Sequence, residues 1–213
     1  AARPLLIRLH AIPTGLRGFM GSSESKPVTA LGFLTVVEHE QHGLFGGYLL
    51  LNSNGRPLEF HCTAPIKPNR AQEILYGPTL QPYLCGEQIG QALIAKSQAK
   101  PLAVCTDLPA VLAARDFVSL PVALVVDPRQ AQQAEDNAAP ATGGKIVRID
   151  RPHGQAEVVR FELGRNRLAV SSQHADDRAE LAERLAALAD RFDLTEPFDR
   201  IRNAIEEAQR TGR

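Results

Sequence analysis

The densest group of metal-binding side chains in the chain is His39-Glu40-Gln41-His42, with His61 further along. Imidazole nitrogens and a carboxylate are donors that Zn²⁺ and other transition ions accept. On a strand, however, successive side chains point to opposite faces, so such close neighbours do not all aim at one ion. A solvated turn is the expected role. Cys62, Cys85 and Cys105 are the only cysteines and lie far apart. They offer neither a Cys-x-x-Cys zinc pair nor a disulfide framework. Each sits among apolar residues, which predicts buried free thiols and fits a reducing, cytoplasmic setting.

Other chemistries find little support. There is no serine nucleophile elbow, and no glycine pattern for a dinucleotide follows a strand. Gly143-Gly-Lys145 lacks the spacing of a phosphate-binding loop. Arg56, Lys67 and Arg70 could form a small basic patch, although scattered surface charge accounts for them as well. Basic and acidic residues balance at 24 each, and tryptophan is absent. A neutral chain poor in aromatics has neither a global pull on nucleic acid nor a ready base-stacking platform. That argues against a protein that coats DNA, and leaves room for an enzyme that grips a short stretch.

The elements that must position any site start from residues 31–66, which read as three strands of an antiparallel meander. Residues 31–40 and 46–51 are apolar runs, and Asn54-Gly55 is a strong hairpin signal. In the third strand Leu58, Phe60 and Cys62 alternate with Glu59, His61 and Thr63. Asn69 can cap a short helix over 70–76, and a second helix is expected over about 83–97. Residues 101–107 and 120–127 are short apolar runs, each ending in an acid, Asp107 and Asp127. With a short helix from Leu108 between them, they predict parallel strands buried on both faces. Asp107 would then be the N-cap of that helix.

The ends and the linker complete the plan. Residues 1–10 are strand-like and too short in apolar run for a secretory signal; 11–29 read as a loop or arm. Residues 128–144 are the clearest linker. Beyond it, 145–213 carry three short strands and two amphipathic helices, with Leu181, Leu185 and Leu188 on one and Phe198, Ile201 and Ile205 on the other. No apolar run reaches the ~18 residues of a membrane span.

The order β-β-β-α-β-α-β resembles the ribonuclease H-like superfamily over residues 31–127. Gly46-Gly47-Tyr48 opens the second strand as Gly-Gly-Tyr does in many bacterial members. Asn69-Arg70-Ala-Gln-Glu73 is similar to the segment that opens the first helix and supplies an acid. Val104-Cys-Thr-Asp107 resembles the fourth strand, which ends at the catalytic centre. The resemblance implies carboxylates holding two divalent cations, Mg²⁺ or Mn²⁺, against a phosphodiester. Carried over by position, the ligands and catalytic acids are Glu73, Asp107 and a first-strand acid, Glu38 or Glu40. Two departures stand out. The first strand has glutamates where an aspartate belongs, and the Asn-Arg-Ala-Gln-Glu segment is longer than usual by one residue. Asp127, Asp176 and Asp177 compete for a fourth acid.

The expected fold is therefore α/β, a mixed sheet with an antiparallel meander followed by βαβ, ribonuclease H-like, plus a small α+β C-terminal segment. The domain plan is an arm over 1–30, a core over 31–127, a linker over 128–144 and a C-terminal segment over 145–213. The expected function is nucleic-acid processing with a two-metal phosphodiesterase site, retained or degenerate. The alternative is a non-catalytic interaction or assembly module, with a protein partner met through the C-terminal helices.

Overall fold

The computed structural model describes residues 29–126, 157–189 and 192–211. Strands β1 (Ala30–His39) and β2 (Gly43–Asn52) pair antiparallel along their whole length, from Ala30↔Asn52 to His39↔Gly43. The Asn52 carboxamide accepts the N–H groups of Asn54 and Arg56, and Gly55 takes a φ of 73° that side chains disfavour. The chain thus reverses into β3 (Pro57–Cys62), antiparallel to β2. On the other side of β1 lie β4 (Val104–Thr106) and then β5 (Val122–Val125), both parallel to it. The meander and the parallel pair are those expected from the sequence.

β7 (Asn166–Ser171) joins β5 antiparallel, and β6 (Val158–Leu163) forms the far edge. The C-terminal hairpin therefore extends the first sheet, giving seven strands in the order β3-β2-β1-β4-β5-β7-β6. Residues 1–28, the linker, the strand expected near 145–150 and Asp127 lie outside the described residues.

Continuous apolar runs in β1, β2 and β4 have a simple cause: both faces of the sheet are covered. On one face Phe33, Leu49, Leu51 and Cys105 meet α2 (Asp177–Ala189) and α3 (Glu196–Thr211) through Leu181, Leu185, Phe198, Ile201 and Ile205. On the other, Leu34, Tyr48, Leu50 and Val104 meet Leu84, Ile89, Leu93 and Leu112. Those last residues come from the helical stretch over 80–94 and a 3₁₀ helix, Pro109–Phe117. Gly46 and Gly47 sit where both helical layers come closest, beneath Ile89 and Ile201.

Two local expectations change. Residues Tyr83–Gln91 wind as a π-helix before the regular turn Ala92–Ile94. Asp107 does not cap the following helix, which starts at Pro109 with Leu108 at the N-cap position and no side-chain cap; the Leu108 N–H donates to Thr106 Oγ1, at 3.2 Å. Helix α1 (Arg70–Tyr76) is capped by Asn69 as expected, through a reciprocal pair of bonds with Gln72, yet it buries none of its residues. No helix among the described residues is long and apolar enough to cross a membrane.

Candidate functional site

Asp107 follows the last residue of β4, beside β1, where Leu34 pairs with Thr106. Strand alternation puts it on the face of Phe33, Thr35 and Cys105, beneath α3. There Arg202 of α3 donates from Nη2 to Asp107 Oδ2 and from Nη1 to Asp199 Oδ1, the latter at 2.7 Å. One guanidinium thus bridges an acid of the sheet and an acid of its own helix. The second carboxylate oxygen, Asp107 Oδ1, is buried and makes no hydrogen bond with any described residue. Burial pushes the Asp107 carboxyl above its ordinary range, and the charge of Asp199 adds to that. The Thr35 hydroxyl and Arg202 oppose the rise. Thr35 is itself buried, at the β1 position that faces Gly47.

The other expected acids lie elsewhere. Glu38 alternates onto the opposite face, with Leu34 and Val36, and is exposed; its charge is felt by the Cys85 thiol in the helical layer there. Glu40 is in the exposed turn between β1 and β2. Glu73 is on α1 and takes a 3.0 Å bond from Arg70, at a surface where both are well solvated. Asp177 is buried, but it is held by Arg115 in a two-pronged ion pair, Nε to Oδ2 at 2.6 Å and Nη2 to Oδ1 at 3.1 Å. The structure therefore does not bring Glu38, Glu73 and Asp107 together. Among the described residues no three His, Cys, Asp or Glu side chains gather so that they could hold a metal ion.

The histidine group separates in the same way. The His39 and His42 rings lie with centroids 4.6 Å apart, tilted by 41°, and His39 Nδ1 accepts the Gln41 N–H. His61 lies on β3 opposite Tyr48 and pairs with Glu59 at 2.9 Å. Glu59 also accepts the backbone N–H groups of Gln98 and Ala99, at 3.0 and 2.7 Å. Burial alone would raise its carboxyl. The bonds from His61, Ala99 and Gln98 outweigh it and hold the group below the usual carboxylate range. This dyad fastens the loop after Ile94 to the sheet edge.

Sequence reasoning missed Asp199 and Arg202. Their spacing of three on an amphipathic helix signals a surface ion pair, which is only half of what they make. The bond to Asp107 spans 95 positions of sequence, and only the seating of α3 on the sheet reveals it. A separate cleft of about 390 Å³ opens between Pro109, Ala113, Asp116, Ser171 and Gln173. At its edge His174 pairs with Asp116 at 2.7 Å.

No protein-family model matches the chain, and no curated protein matches it in sequence. Among solved structures, two similar ones are endonuclease V of Ciona intestinalis bound to DNA containing an inosine followed by a ribo-adenosine. The complex with a 23mer overlaps at a TM-score of 0.35 and 11% identity, covering 68% of this chain and 70% of that one. The complex with a 24mer overlaps at a TM-score of 0.38 and 11% identity, covering 85% and 87%. Overlap this loose carries no argument about the activity of this chain.

Proposed function

We propose that this chain is a catalytically silent protein built on a nuclease-like α/β sheet, its two-metal site degenerate, and that it serves as a protein-interaction module. The observation that carries the reading is the separation of the carboxylates: Asp107 beneath α3, Glu38 on the opposite face, Glu73 on the solvated α1. In-line phosphodiester cleavage by two ions needs several carboxylates converging on metals ~4 Å apart. The element order βββαβαβ, and an acid at the end of β4 beside β1, support descent from such a site. The Arg202 pairing supports its loss.

A protein partner is favoured over nucleic acid by charge. The outward residues of α3 alternate in sign, with Arg200 bonded to Glu196 and Arg210 to Glu206, so the helix presents no basic stripe. Its apolar stripe is spent inside, on the sheet.

The test is incubation of the native chain and Asp107→Asn with labelled RNA, DNA and hybrid duplexes in Mg²⁺ and in Mn²⁺. All substrates are expected to stay intact. Metal-dependent cleavage that Asp107→Asn abolishes would overturn the reading. A mobility shift without cleavage would replace the protein partner by nucleic acid.

A further inference from the structure

We propose that Arg202 is the built-in replacement for a metal ion: its guanidinium supplies, from the chain itself, the positive charge that Asp107 would otherwise take from a divalent cation. The inference rests on the reading of the site as degenerate and adds what now occupies it.

The geometry argues for this directly. Asp107 is a largely buried acid, its side chain 16% exposed, at the end of a strand whose other residues are fully buried. A carboxylate in such a place needs a counter-charge. Mg²⁺ and Mn²⁺ bind through oxygen ligands with free lone pairs and a near-octahedral shell. Here one oxygen of Asp107 and one of Asp199 are already engaged by the two Nη atoms of Arg202. The remaining oxygen of Asp107 is enclosed, with the buried Thr35 beside it. Two carboxylates joined by one guanidinium, with no third His, Cys, Asp or Glu gathered beside them among the described residues, make a site that suits arginine. Arginine also stays charged at any working pH and grips carboxylates through a planar fork.

The substitution has a second effect. Arg202 fastens α3 to the sheet at Asp107, beside the apolar contacts of Ile201 and Ile205 with Gly47. Charge balance at the strand end and the seating of the helix become one interaction.

The experiment is thermal melting of the full chain as native, R202M, D107N and D107N/R202M, each with and without MnCl₂. R202M is expected to lower the Tm by several degrees, because it leaves a buried acid unpaired. The loss in D107N/R202M is expected to be much smaller than the sum of the single losses, and the native Tm not to respond to Mn²⁺. Additive losses would overturn the role of Arg202, and so would a Mn²⁺-dependent rise of the native Tm that D107N removes. Cleavage of nucleic acid by the native chain sinks the reading of the site as silent, whatever the melts show. Additive melts without cleavage sink only the inference about Arg202.

Discussion

Gly47 on β2 and Ile201 on α3 are in direct contact: a Cβ built on Gly47 would overlap Ile201 Cγ2 and stand 2.9 Å from Ile205 Cδ1. Both isoleucines are buried, so neither has space to withdraw. Gly47→Ala is therefore expected to destabilise the fold by about 2 kcal/mol through overpacking. Chemical denaturation measures it. A midpoint unchanged from native would mean that α3 is not seated as described.

The Arg115–Asp177 pair joins the helical layer on one face to the start of α2 on the other. Arg115 Nη1 also donates to the Val118 carbonyl, at 2.8 Å. The Asp177 carboxylate holds the Arg115 guanidinium above its ordinary pKa. Removing the Asp177 carboxylate leaves the part-buried Arg115 guanidinium without its partner, so Asp177→Asn is expected to cost about 2 kcal/mol. A loss below about 1 kcal/mol would class the pair with solvated surface bridges instead.

Glu59 gives a pH signature. Its folded pKa is depressed, so its contribution is present above the unfolded value and is lost as pH falls through the folded one. Glu59→Gln is expected to melt below the native chain near neutral pH. The gap should close only as the pH falls below the ordinary carboxylate range and through the depressed folded value. A gap that stays constant, or widens in acid, contradicts the assignment.

Thiol reactivity should follow burial. Cys105 is fully enclosed and its thiol is pushed up to about 12; Cys85 is pushed up to about 11, by burial first and then by the charge of Glu38. Cys62 is half-buried and its thiol is raised as well, chiefly by burial, with Lys96 opposing. Because thiolate is the reactive form, a disulfide reagent is expected to label Cys62 first and the other two only on unfolding. Native-state labelling followed by peptide mapping decides it. Early modification of Cys105 would count against the buried β4.

The parts of the fold that were legible in the sequence are those fixed by local pattern. Asn54-Gly55 and the alternation of Leu58, Phe60 and Cys62 specify the β2–β3 hairpin. The apolar runs over 101–107 and 120–127 specify the strands β4 and β5, covered on both faces. The π-helical winding over 83–91 escaped because the apolar positions of a wider helix still fall on one side. The role of Asp107 escaped for a different reason. A helix cap or a distant cation could each engage it, and the helix begins too late for the first, at Pro109 with no side-chain cap. Which charge then faces it depends on the docking of α3, which no short-range spacing encodes. Likewise β7 begins at the buried Asn166, whose amide ties the Phe192 carbonyl and the Leu194 N–H.

The seating of α3 on Phe33 and Gly47 also sets a schedule for the nascent chain. As the ribosome releases β1 and β2, one side of the hairpin can be covered soon by residues 84–93. The other waits for Phe198, Ile201 and Ile205, the last apolar contributors to the core among the described residues. Until they emerge, a broad apolar sheet face stands open to solvent or to a chaperone. Truncation ahead of α3 should therefore yield aggregation, not a smaller soluble protein.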